Sequence, residues 1–344
     1  MSGSLPPLHV AVCGAGAFGR NHLRVYRELE SRQNGIRLSA IIESNAARAA
    51  VLCGEFGVPV YTSIQNALSA RAAGEVAIDA ASVCVPTSAH YEAAAPLLSS
   101  GIDLLIEKPI AATIAEAGNL IALARQHGRI LQTGHLERFN PAILAVQPLL
   151  NRPMFFEAHR LSMFTPRALD VDVVLDLMIH DLDIVLHFAQ SPVREIHAVG
   201  LPILSKKTDI ANVRLEFESG CVANFTASRV STEQVRKLRF FQPHQYISID
   251  YARRDILVID VSPGAAPTSS AGKFPPGLAL NKPPVQDAEP LRLEIESFVE
   301  SVRARTTPKV SAEDGRAALE LALEVNRKIA EHAQRAGLSA TRAP

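Results

Sequence analysis

Up to about residue 133, short apolar runs alternate with amphipathic, Ala/Leu-rich stretches. The runs at 8–13, 36–42, 76–85, 102–106 and 129–133 have strand length and strand composition. The intervening segments 18–33, 45–55, 63–72, 89–100 and 113–127 read as helices. This βαβα rhythm predicts an α/β domain with a doubly wound parallel sheet covered on both faces.

Beyond residue 134 the pattern changes. Val213-Arg214-Leu215-Glu216-Phe217-Glu218 alternates apolar and charged positions, as a half-buried strand does. Ser219-Gly220 turns the chain into a second strand, 221–228. Further strands are predicted at 236–242, 246–251 and 255–261, with Pro243-His244 as a turn. Strands in direct succession predict an open, mostly antiparallel sheet and hence an α+β second domain. The apolar residues Val213, Leu215, Phe217, Ile247, Ile249 and Tyr251 would cover helices or another subunit. A long helix is expected to begin near Val171 and run to about Gln190. Residues 262–290, rich in proline and glycine, read as a loop. Helices resume at 291–304 and 311–335, the latter opened by a capping box in which Asp314 stands for the usual Glu or Gln. The predicted division is 1–133 and 134–344, with the C-terminal helices free to pack back on the first domain.

Gly14-Ala15-Gly16-Ala17-Phe18-Gly19 follows the first strand and opens the first helix. Glycines at that spacing let a backbone approach a pyrophosphate, and the helix N-terminus supplies amides and a positive dipole end. Glu43 ends the second strand, where a carboxylate can accept from ribose hydroxyls and repel a 2′-phosphate, favouring NAD over NADP. Arg48 nearby could instead accommodate that phosphate. Pro86 and Thr87 follow the 76–85 strand and would border the cofactor. His90, at the head of the next helix, suits a cap or a cofactor contact. Glu107-Lys108-Pro109 ends another strand of the same sheet, where open α/β folds bind ligands. Proline restricts the residue before it to extended geometry, which helps aim Lys108. A partly buried lysine can move protons near neutrality.

A second polar cluster is Asp176, His180 and Asp183, at i, i+4 and i+7 of a predicted helix amid Val173, Val174, Leu177, Ile184 and Val185. Burying these groups is costly without a purpose. Substrate binding with proton transfer fits better than a metal site, because no further ligand cluster accompanies them and Lys108 offers a partner. No metal is expected.

Composition narrows the function classes. Lys+Arg and Asp+Glu both total 35, so no net basic field points to nucleic acid or an anionic membrane. The N-terminus lacks a cationic segment followed by an apolar one, and 171–189 carries too many charges to span a bilayer. Cys13, Cys53, Cys84 and Cys221 show no metal-type spacing and read as reduced, buried thiols of a cytoplasmic protein.

Taken together, these residues resemble the glucose–fructose oxidoreductase/inositol dehydrogenase/MocA (Gfo/Idh/MocA) family. The matches are the glycine motif, Val85-Pro86 with His90, Glu107-Lys108-Pro109, Gly134 with Arg138 and Pro141, and Asp176-xxx-His180, in the family's order. The resemblance implies a Rossmann domain followed by a domain on a largely antiparallel sheet. It also implies NAD or NADP as cofactor, chemistry at a sugar or cyclitol carbon, and dimers or tetramers formed through the second sheet. The lysine and histidine of these motifs, Lys108 and His180, would sit at the reacting hydroxyl, one taking the proton and the other polarising the oxygen, with Asp176 orienting them. Glu107 would join Lys108 at the cofactor.

The strings 134–141 and 172–181 further resemble the bacterial branch similar to UDP-N-acetylglucosamine 3-dehydrogenases, whose 3-keto product an aminotransferase uses, often for lipid A. Leu177-Met178 departs from the glycine of many relatives and implies a different pocket from that of inositol dehydrogenases. Arg138, Asn140, Arg160 and Arg167 would then meet a diphosphate or sugar, or else serve as ion-pair partners. An inositol or free-sugar dehydrogenase and a non-catalytic nucleotide sensor are the alternatives. The intact Lys108, Asp176 and His180 argue against the sensor.

Overall fold

The computed structural model describes residues 6–32, 35–164, 171–251, 253, 255–261 and 278–338, and the chain divides into two units. The first comprises Met1–Leu136 and Glu289–Leu319. Its sheet is built from β1 (Leu8–Cys13), β2 (Ile36–Ile42), β3 (Val60–Tyr61), β4 (Ala80–Val83), β5 (Asp103–Glu107) and β6 (Leu131–Gly134). The strand order is β3-β2-β1-β4-β5-β6, with every pairing parallel. The connecting helices are α1 (Ala17–Ser31), α2 (Ala46–Phe56), α3 (Ile64–Ala72), α4 (His90–Ser99) and α5 (Ile114–Gln126). The central strands read as unbroken apolar runs because both faces are covered: Val10, Ala11 and Val12 have no exposure at all. The predicted strands 76–85 and 129–133 contract to β4 and β6. The two-residue β3 is too short to leave a periodic signal.

The second unit comprises Glu137–Ala288 and Glu320–Pro344. It begins with α6 (Pro141–Val146) and β7 (Phe155–Leu161). A π-helical turn, Val174–Met178, leads into α7 (Ile179–Ala189). Then come β8 (Val193–Leu201), β9 (Ile210–Phe217), β10 (Val222–Ser228), β11 (Val235–Gln242), β12 (Gln245–Asp250), β13 (Asp255–Val261) and β14 (Leu278–Asn281). The order β14-β13-β12-β11-β7-β10-β9-β8 is antiparallel except where β7 meets β10. On β9 the alternation is realised: Val213, Leu215 and Phe217 are fully buried, while Asn212 and Arg214 face outward. Ile247 and Ile249 are likewise buried within this single chain.

Three strands of this sheet escape the sequence pattern. β7 carries Arg160 among its inward residues, which breaks the apolar alternation. β8 is a partly exposed edge, and β14 lies in the proline-rich segment.

The chain closes with α8 (Pro290–Ala304) and α9 (Ala312–Arg335). Leu291, Ile295, Phe298, Val299 and Val302 of α8 join the core of β1, β2 and α1. The helix thus belongs to the first unit despite its distance in sequence. Asp314 completes the capping box: it accepts from the Ser311 N–H at 2.9 Å, and its own N–H donates to Ser311 Oγ at 3.0 Å. No helix among the described residues is long and apolar enough to cross a membrane. All four cysteines are free; Cys13 is buried, which pushes its thiol up to about 12, but Cys53 is exposed, contrary to the buried position expected of it.

Candidate active site

Each glycine of the Gly14–Gly19 turn meets a different steric demand. Gly14 has φ +85°, and a Cβ there would lie 2.8 Å from the Val85 side chain. A Cβ on Gly19 would lie 1.9 Å from the Gly14 carbonyl oxygen, so α1 packs onto its own entry turn. A Cβ on Gly16 would meet nothing within 4 Å. Gly16 faces a cleft of about 900 Å³ at the carboxyl ends of β1, β2 and β4. It is also the N-cap of α1 and offers no side-chain cap, which leaves the helix amides available to an anion.

Ala17, Phe18, Glu43, Arg48 and Pro86 line the same cleft. Glu43 is buried at the end of β2. Its carboxylate accepts from the Ala15 N–H at 3.0 Å, the Asn45 N–H at 2.9 Å and Arg48 Nη1 at 3.2 Å. One of these donors belongs to the glycine turn, so the acid and the turn fix each other. Arg48, weighed as a phosphate contact, is paired with Glu43.

Thr87 begins a short 3₁₀ turn and is not part of the cleft wall. His90 is buried. Its Nδ1 lies 2.8 Å from the Pro109 carbonyl oxygen and its Nε2 lies 3.0 Å from that of Val85. The ring ties the end of β4 to the segment after Lys108, and it is neither a helix cap nor part of the cleft wall. Burial lowers its proton affinity, against the pull of those carbonyls. Glu107 ends β5 and accepts from His22 Nε2 at 3.0 Å. Lys108 follows, half-buried, and the Lys108–Pro109 peptide is cis.

In the second unit, Asp172 accepts from the Val174 and Leu175 N–H groups at 2.9 and 3.0 Å and starts the helix. Asp176 lies in the π turn and His180 in α7, both half-buried. Asp176 thus lies within the π turn, where the spacing departs from the α-helical period, while His180 and Asp183 lie three apart in α7. Asp183 is buried and accepts from Arg138 Nη1 at 3.4 Å; Arg138 Nη2 also donates to His187 Nδ1 at 2.8 Å. Arg160 grips Asp181 through Nε at 2.8 Å and Nη2 at 2.9 Å, and reaches Glu137 through Nη1 at 3.1 Å. Asn140 caps α6 by accepting from the Ala142 N–H at 3.0 Å. The structure therefore gives Arg138, Arg160 and Asn140 to partners within their own unit. Arg167 lies outside the described residues.

Two buried groups near Glu107 went unmarked in the sequence: His22 and Glu294. The signal was present in α8, where Glu294 sits inside the stripe Leu291, Ile295, Phe298, as an acid where the helix period demands an apolar residue.

The model of the Gfo/Idh/MocA oxidoreductase family, NAD-binding Rossmann fold, matches residues 8–135, and that of the family's C-terminal domain matches residues 149–242. The chain belongs to the Gfo/Idh/MocA family. A UDP-N-acetylglucosamine 3-dehydrogenase of Acidithiobacillus ferrooxidans is 32% identical over 95% of this chain and 99% of its own. A solved structure of that enzyme superposes with a TM-score of 0.84 at 30% identity, covering 94% of this chain and 98% of the other. An inositol 2-dehydrogenase of Corynebacterium glutamicum is 28% identical over 54% of this chain and 55% of its own. The first unit of this Gfo/Idh/MocA protein is an NAD-binding domain, and the chain is a dehydrogenase. The glycine cradle, open at Gly16, and the Glu43 carboxylate at the end of β2 fit a dinucleotide and its ribose.

Proposed function

We propose that this chain oxidises C3 of UDP-N-acetylglucosamine or a close nucleotide sugar. The observation that carries the reading is the end-to-end similarity to the Acidithiobacillus enzyme, 32% identity with 95% of this chain and 99% of that protein aligned.

Oxidising a secondary alcohol to a ketone removes a hydride from carbon and a proton from oxygen. NAD, when bound, accepts the hydride. The proton falls to this chain's own bases. Lys108, just after β5, and His180, in α7, are the candidate proton-transfer residues: one would take the hydroxyl proton and the other polarise the oxygen, and Asp176 would orient them. Gly14, Gly16 and Gly19 would shape the pyrophosphate turn, and Glu43 would accept from the adenosine ribose.

A second reading, oxidation of an inositol or free sugar, is favoured by one observation: Arg138 and Arg160 are both buried against acids rather than open to a diphosphate. The deciding experiment follows nicotinamide absorbance while the purified protein and NAD meet UDP-N-acetylglucosamine, free N-acetylglucosamine and myo-inositol. The leading reading expects turnover with the nucleotide sugar and little without UDP, because remote binding energy raises turnover as well as affinity. Reduction of the product with borodeuteride should place the label at C3. A label at C4 or C6 rejects that carbon, and activity on the polyol alone selects the second reading.

A further inference from the structure

Glu107 is held from three sides. Its Oε1 accepts from His22 Nε2 at 3.0 Å. On β6, a Cβ at Gly134 would lie 3.0 Å from the same oxygen, so the bare backbone there makes room for the acid. From α8, Glu294 brings a carboxylate oxygen to a point where it, Glu107 and His22 all lie within 4.8 Å of one another. Glu294 is fully buried, and among the described residues neither of its oxygens has a hydrogen-bond partner. Three segments remote in sequence meet here: the helix that opens at the glycine turn, the strand that ends just before Lys108, and α8.

Two carboxyl groups this close and this deep resist joint ionisation. Burial, and after it the charge of Glu107, pushes the Glu294 carboxyl well above the usual carboxylate range. The other titratable groups that sense Glu294 are Cys84 and Tyr26; burial raises both, so neither supplies a compensating charge. From β6, Gln132 donates its side-chain N–H to the Glu294 backbone carbonyl at 3.3 Å. Successive strand residues face opposite sides, so whatever holds Glu107 also sets how the chain leaves the strand at Lys108.

We propose that Glu294 is a positioning residue for Lys108: a neutral carboxylic acid that packs beside Glu107 without adding a second charge and, together with His22, fixes the strand end that precedes the lysine. This rests on the proton-transfer role given to Lys108 above.

The test uses the full-length protein and three measurements. Glu294→Met keeps the volume but removes the hydrogen-bonding group, so it should fold; it should lower kcat about tenfold to a hundredfold while the NAD Kd stays within about twofold. Glu294→Gln cannot ionise yet keeps the shape and polarity of the neutral acid beside Glu107, and should keep kcat within about threefold of the native value. An infrared difference spectrum, native minus Glu294→Gln at neutral pH, should show the carbonyl stretch of a protonated carboxyl. The proposal is overturned by full activity in Glu294→Met, by a Gln variant as poor as the Met variant, or by absence of the protonated-carboxyl band. Elemental analysis that finds one divalent ion per native chain, lost in Glu294→Gln, would put a metal where the proton is placed and overturn it as well. Failure of every sugar to reduce NAD would count against the functional reading alone, and the infrared band would still decide the state of Glu294.

Discussion

Arg160 and Asp181 form a buried, bidentate ion pair, Nε to Oδ2 at 2.8 Å and Nη2 to Oδ1 at 2.9 Å. Glu137 accepts the remaining Nη1 at 3.1 Å, and the guanidinium lies 5.6 Å from the Tyr251 ring centroid. Desolvation opposes a charge here, but the two acids outweigh it and hold the guanidinium firmly protonated. The pair joins β7 to α7, the helix that carries His180.

Breaking that pair should therefore be a stability event. Asp181→Ala strands the Arg160 charge, and such a loss typically costs about 3–5 kcal/mol. A fall in urea midpoint of matching size is the expected result. If Arg160→Lys left the midpoint unchanged and raised the KM for UDP-N-acetylglucosamine instead, the arginine would be a substrate contact.

Cofactor preference should follow Glu43. Its carboxylate stands at the end of β2 in the cleft wall and would repel a third negative group on the ribose. NAD should bind more tightly than NADP, and Glu43→Gln should weaken NAD and narrow the gap. Fluorescence titration with both nucleotides checks this. Equal or tighter NADP binding by the native protein would shift the role to Arg48, whose Nη1 lies 3.2 Å from the acid.

Chemistry and cofactor binding should separate at the proton-transfer pair. Lys108→Met and His180→Ala should each lower kcat by about a hundredfold to ten-thousandfold, the usual contribution of a positioned acid or base. The NAD Kd should barely move. Near-native turnover in both variants would mean that the site lies elsewhere, and loss of NAD binding would make the two residues cofactor contacts.

Much of the first unit was legible because its strands are covered on both faces and read as apolar runs, and because the glycine turn has steric demands that few other residues meet. The second sheet was legible where one face is dry, as on β9, and illegible on β7, where Arg160 points inward. The buried arginines show the main limit of reading a site from sequence. Arg138 and Arg160 have the chemistry of phosphate contacts, yet their acid partners Asp183 and Asp181 lie some twenty to forty-five residues away and only the fold brings them together. The π turn before α7 is a similar case, since Val174–Met178 contains no proline or glycine to mark a break in the helix. Glu294 was readable in principle, but only by treating an acid on an apolar stripe as information rather than as noise.

Acid should destabilise the second unit through Asp209. Its side chain is buried, and its carboxylate accepts from the Ile203, Leu204 and Ser205 N–H groups at 2.8, 2.6 and 2.8 Å, from Ser205 Oγ at 2.7 Å and from Arg229 Nε at 2.8 Å. Burial favours the neutral acid, but the donors from Ser205, Leu204 and Ile203 outweigh it and hold the group well below the ordinary aspartate range. A carboxyl whose folded-state affinity for protons is depressed contributes stability that is complete above the unfolded value, about pH 4, and is lost as the pH falls toward the folded value. Thermal unfolding should thus show a Tm that declines below about pH 4. Asp209→Asn keeps the shape but removes the charge, so it should lower Tm by several degrees at neutral pH and flatten the acid decline. Parallel Tm–pH curves for native and Asn proteins would show that the carboxylate's hydrogen bonds are not what the acid limb reports.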